Sequence, residues 1–155
     1  MTWPSRAQLD DLVARFRART LPKPEWTHQA HLAVGTWHVF RFGPIEAMER
    51  LRSGITRLNE SHGTANTDTA GYHESITRAY VTLIAAFLSS HPATGTAAGH
   101  AAPRVQQLLA SPLAAKDALL VFYSQDVLMS VAARRGWVEP DRAALRWPPT
   151  GTTGG

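Results

Sequence analysis

The sequence predicts an all-α fold, an antiparallel helical bundle of four to six helices joined mostly by short turns. Three observations carry this reading. Apolar residues recur at i, i+3, i+4 and i+7 in the long segments. Pro and Gly punctuate the chain between those segments, where helices would stop and restart. No stretch alternates with the period of a strand, and no segment repeats.

The elements follow in order. Ser5 is an N-cap, and Leu9, Leu12, Val13 and Phe16 then mark one helical face. The turn Leu21-Pro22-Lys23-Pro24-Glu25 ends that helix, because proline bars its continuation. Thr27 caps a second helix reaching about Phe40, with Leu32, Val34, Trp37 and Val39 giving it broad apolar surface. Gly43-Pro44 breaks it and places proline at the first position of a third helix, where Ile45, Met48, Leu51, Ile55 and Leu58 form a stripe. Gly54 beside that stripe suggests close approach of a neighbour, and His62-Gly63 stops the helix. After a polar loop over residues 64–71, a fourth helix starts near Tyr72 and runs to about Ser89, with His73, Ile76, Tyr80, Leu83 and Phe87 on one face. Residues 90–103, rich in Ala, Gly, Thr and Pro, read as a flexible connection. Helical pattern resumes at Pro103, Ser111-Pro112 makes a further cap-and-start, and Ser124 recaps a short helix reaching Arg135, with Gly136 as its stop. The expected organisation is one domain over residues 1–145 and a disordered tail over 146–155.

Composition excludes several function classes. The 155 residues suit one domain, and 44% hydrophobic with 18% charged residues is a globular balance. No apolar run reaches the roughly 20 residues of a membrane span, and no leader-like segment opens the chain, so a cytoplasmic protein without a membrane partner is expected. With no cysteine there is no disulfide, thiolate metal site or cysteine nucleophile. The net charge of +4 comes almost wholly from arginines, since only Lys23 and Lys116 are lysines. They are dispersed apart from Arg15, Arg17 and Arg19, which complement the dipole at a helix end. That bland account and the lack of a recognition motif weigh against nucleic acid, although an interaction bundle working through exposed arginines stays an alternative.

The informative residues are histidines. His28 and His31 stand three apart in the first turn of the second helix, on one face. His73 and Glu74 open the fourth helix. If successive helices are antiparallel, the second and fourth run parallel and bring these groups to one rim, with the loop of Asn66, Thr67 and Asp68 across it. Two histidines from one helix, one from another and a carboxylate could hold a catalytic Zn or Fe(II). The metal set would be His28, His31 and His73; without metal, neutral imidazoles at helix N-termini are competent bases. Exposed N–H groups there would also favour an anionic group. His38 shares the face but lies about 15 Å along the helix, and reads as a core histidine.

The segments Trp26-Thr27-His28-Gln29-Ala30-His31-Leu32, Asn66-Thr67-Asp68-Thr69-Ala70-Gly71-Tyr72-His73-Glu74 and Trp137-Val138-Glu139-Pro140-Asp141 resemble blocks of a family of small bacterial all-helical proteins. The resemblance spans about residues 20–145 and implies that His28, His31, His73 and Glu74 occupy positions typical of the family, without an established activity. Gln125-Asp126 and Ser130-Val131 depart from the Arg-Glu and Ser-Pro more usual there, which leaves roles for Ser124 and Asp126 open. The expected function is a small enzyme performing hydrolysis, elimination or isomerisation of a small polar molecule, an anionic one included. His73, Glu74 and His28 would be catalytic, and Tyr72, Asn66, Thr67 and Trp26 would orient the substrate. A non-catalytic small-ligand or metal-binding module is the alternative, and a homodimer is left open.

Overall fold

The computed structural model describes residues 2–91 and 99–149. Among them, six α-helices and short 3-10 turns build the bundle, and no strand occurs. The helices are α1 (Arg6–Ala18), α2 (His28–Ser61), α3 (Glu74–Ser90), α4 (Ala102–Leu109), α5 (Gln125–Leu128) and α6 (Val131–Arg135).

α1 begins at Ser5 with a reciprocal capping box. The Gln8 amide donates to the Ser5 hydroxyl at 3.1 Å, and the Ser5 amide donates to the Gln8 side chain at 2.9 Å. Its apolar face is the one read from the sequence, with Leu9, Leu12, Val13 and Phe16 all buried. The helix closes on Arg19 with φ of 63°, a left-handed cap that is uncommon for a residue other than Gly or Asn.

The second and third helices of the sequence reading are the two limbs of α2, separated at Gly43. Its φ of 78° and ψ of 167° are not helical and suit glycine, and Pro44 then starts the second limb without needing an N–H partner. The limbs lie side by side: Gly35 and His31 of the first share a cavity with Leu51 and Ile55 of the second.

α3 packs chiefly on α2. Ile84 Cδ1 lies 3.5 Å from where a Cβ on Gly35 would stand, and the His28 and Tyr80 rings are 6.3 Å apart between centres. The first limb of α2 and α3 therefore run the same way, as the sequence argument required. They are not level, however. His28 faces Tyr80, and the seven residues back to His73 amount to about 10 Å along the helix.

The C-terminal third seals the other side through short capped pieces. The single helix expected from Ser124 to Arg135 is two, α5 and α6, because the Ser130 hydroxyl accepts the Ala133 amide at 3.1 Å and restarts the helix. Ser75 Oγ donates to the Gly136 carbonyl at 2.7 Å and accepts from the Val138 amide at 3.0 Å. The fully buried Tyr123 donates its hydroxyl to the Val138 carbonyl at 2.6 Å. Asp141 accepts from the Ser124 amide at 2.7 Å, and Ser124 Oγ caps α5, so both are held in structural bonds.

Trp147 lies in the segment expected to be a disordered tail, yet it is half-buried, with its ring 6.0 Å from Phe87. An indole can bury its area without secondary structure around it. Residues 150–155 of that tail and 92–98 of the expected flexible connection lie outside the described residues. No described helix is long and apolar enough to cross a membrane.

Candidate functional site

A cavity of about 310 Å³ lies between the two limbs of α2 and α3. Leu32, Leu51, Ile55, Ile76, Val81 and Ile84 give it an apolar wall, and none of its lining residues is acidic, Lys or Arg. Its polar groups come from Trp26, His28, His31, Thr77 and Tyr80.

The Thr27 cap sets the two histidines. Thr27 Oγ1 accepts the Ala30 amide at 3.1 Å and starts the helix, so His28 and His31 project from its first turn. His31 Nδ1–H donates to the Thr27 carbonyl at 2.7 Å, and its ring stacks on Trp26 with centres 3.7 Å apart. His28 Nε2–H donates to the Ala114 carbonyl at 3.1 Å. A carbonyl can only accept, so each neutral imidazole has its proton fixed. His31 Nε2 and His28 Nδ1 are left as lone pairs without a partner among the described residues.

His31 is partly open to solvent, with Trp26 stacked on its ring and the cavity's apolar wall nearby. Desolvation there holds its pKa well below the ordinary imidazole value; the Thr27 carbonyl opposes it, and the neighbouring His28 adds to it. Tyr80 finds no acceptor for its hydroxyl among the described residues, and burial pushes its pKa up to about 12, with Asp117 adding to the rise. His28, Ile76 and Tyr80 also line a second hollow of about 440 Å³, which adds Lys116 and Asp117. His28 and Tyr80 thus stand where the two meet.

The other expected site residues are elsewhere. His73 is not in the first turn of α3; it is the N-cap, 7% exposed. Its Nδ1 accepts the Ile76 amide at 3.1 Å and its Nε2–H donates to the Leu128 carbonyl at 2.7 Å, so both nitrogens are occupied. Burial, opposed by the Leu128 carbonyl, lowers its pKa and keeps it neutral. Glu74 receives both Arg52 Nε at 2.9 Å and Nη2 at 2.6 Å, and the Tyr72 hydroxyl at 2.7 Å. The Arg52 bonds hold its carboxyl below the usual carboxylate range, so it is a fixed anion.

Asn66 Oδ1 accepts from Asn59 Nδ2 at 3.1 Å and the Tyr72 amide at 2.9 Å, and its Nδ2 donates to the Thr56 carbonyl at 3.2 Å. Thr67 bonds within its own loop, to Ala70 and Thr69. Of the expected residues, Trp26, His28 and His31 share the cavity; His73, Glu74, Tyr72, Asn66 and Thr67 do not line it.

The three histidines of the expected metal set are not brought together, since His73 lies outside the cavity that His28 and His31 line. Among the described residues no group of three or more His, Cys, Asp or Glu could hold a metal ion. His28 and His31 offer one lone pair each beside an apolar wall, and His73 has none to give. This donor set falls short of the three or four ligands of a zinc or iron centre.

No protein-family model, curated protein or solved structure matches the chain. The motif blocks stand as a resemblance only, and the site must be read from its own chemistry. From sequence, Tyr80 reads as core by default with a hydroxyl that could enter an internal pocket, and Thr77 and Gly35 carry no role. A signal for Tyr80 was present: it falls four residues after Ile76 on the face that meets α2, a hydroxyl between the aliphatic Ile76 and Leu83. The arrangement offers an uncharged, mostly apolar volume with two fixed acceptors and one hydroxyl.

Proposed function

We propose that the chain binds a small, uncharged, largely apolar molecule bearing a hydrogen-bond donor, in the cavity between α2 and α3. One observation carries this reading: both imidazoles bond a backbone carbonyl through one nitrogen, keep the other as a free acceptor, and line a cavity with no charged residue. A ligand O–H or N–H would satisfy His31 Nε2 or His28 Nδ1, and Tyr80 could donate to an acceptor on the same molecule. An oxyanion would meet lone pairs and no cation, which disfavours the anionic substrate expected from the helix N-termini.

Acid–base turnover of the bound molecule is a second reading, favoured by the position of His28 and Tyr80 at the junction of the two hollows. His28 Nδ1 would take a proton and the Tyr80 hydroxyl would return one, the pattern of an isomerisation.

The binding test uses phenol, indole and benzamide as probes and benzoate as the charged comparator. Trp26 fluorescence and imidazole NMR shifts provide the readout. The neutral probes should saturate, His31→Gln and Tyr80→Phe should each weaken them by roughly tenfold, and benzoate should bind worse. Absence of saturation, or unchanged affinity when Ile55→Trp fills the cavity, would refute the proposal.

A further inference from the structure

A second feature, sharing no lining residue with that cavity, is a groove of about 290 Å³ between the C-terminal end of α1 and the second limb of α2. We propose that it binds a compact dianionic oxyanion, a phosphomonoester by charge.

The convergence has a packing cause. A Cβ on Gly54 would fall 2.6 Å from Phe16 Cζ, so α1 lies directly on α2 at this glycine. That contact brings Arg17 and Arg19 of α1 and its cap to the same groove as Arg50 and Arg57 of α2. Arg19 reaches it from its left-handed backbone, φ 63°. Two of the guanidiniums are held by rings: Arg50 lies 4.0 Å from the centre of Phe42, and Arg17 lies 5.9 Å from that of Trp37.

The charge count sets the ligand class. Arg50 is paired with Glu46 at 2.7 Å, whereas Arg17, Arg19 and Arg57 have no carboxylate partner among the described residues. Glu49 is the groove's one acidic residue. Three unpaired guanidiniums against one carboxylate leave a surplus of two positive charges, the complement of a phosphomonoester, and guanidinium geometry suits its oxygens.

His38 forms part of the floor. It is 2% exposed, its Nδ1–H donates to the Val34 carbonyl at 2.7 Å, and its Nε2 has no partner among the described residues. Burial lowers its pKa to about 4, opposed by the Val34 carbonyl and helped by Arg17 and Arg50. Arg19, Arg57 and Glu49 are the other charged groups facing the groove.

The experiment titrates inorganic phosphate and phenyl phosphate while NMR follows the arginine Nε–H and His38 ring signals. Saturable shifts at Arg17, Arg50 and Arg57 are expected. Arg17 and Arg57 are exposed, so Arg17→Gln and Arg57→Gln should leave the fold intact and each weaken binding about tenfold. Arg6→Gln, outside the groove, should change nothing. Linear, non-saturating shifts, or equal losses with Arg6→Gln, would overturn the proposal. So would a single-stranded oligonucleotide binding with a steep salt dependence while both phosphates fail, which would make the surface a nucleic-acid track.

Discussion

The wall of the α2–α3 cavity and the polar clamp over residues 66–74 use the same residue types and differ in what is left over. In the clamp, Asn66 makes three bonds, Glu74 holds Arg52 and Tyr72 on its two oxygens, and both nitrogens of His73 are occupied. In the cavity wall, His28 and His31 each satisfy one nitrogen and keep the other. Residue identity does not separate a binding group from a structural one; unsatisfied hydrogen-bonding capacity facing a cavity does.

Breaking the clamp should damage the fold and leave the cavity's chemistry alone. The largest effect is expected from His73→Ala, which removes an N-cap, a buried bond to the Leu128 carbonyl and the volume of a ring. The loss should be about 3 kcal/mol in urea unfolding. A stable His73→Ala protein that had lost ligand binding would reverse the assignment of roles. Gly71→Ala comes next. At φ of 82°, with its Cβ placed 2.6 Å from the Ala65 carbonyl oxygen, the substitution should cost about 2 kcal/mol.

Glu74→Gln should cost about 1 kcal/mol, because Arg52 is half-exposed and solvent screens the pair. Its pH dependence has a definite sign. The carboxyl is lowered in the folded state, so its contribution is present above the ordinary carboxylate value and fades as pH falls through the lower folded value. In Glu74→Gln that part of the acid limb of the stability curve should flatten, while affinity for the neutral probes stays unchanged.

The fold was legible because its signals are local. The Ser5 cap, the Thr27 cap, the Gly43 break and the apolar face of α1 each depend on residues a few positions apart. The direction of α3 relative to the first limb of α2 also followed from the count of reversals. What the sequence could not supply was the axial offset. Helix direction says which ends are together, whereas packing of Ile84 against Gly35 decides which residues are level. That stagger sets His28 beside Tyr80 and leaves His73 to cap α3 against Leu128. Occupancy was equally hidden, since the acceptors of His28 and His73 are carbonyls of Ala114 and Leu128, distant in sequence and carrying no residue-type signal.

The smallest effect on the fold is expected from His31→Gln, and it sharpens the comparison most. The residue is partly open to solvent, and its hydrogen bond is to its own helix four residues back, so unfolding free energy should change by less than about 1 kcal/mol. Binding should nevertheless fall, because the lost Nε2 is one of the cavity's two free acceptors. The pH profile then separates the roles. A histidine whose folded pKa is depressed stays neutral through the ordinary imidazole range, so affinity governed by His31 should hold level as pH drops through that range and decline only below it. An affinity that fell near the ordinary imidazole value and did so equally in His31→Gln would place the acceptor elsewhere.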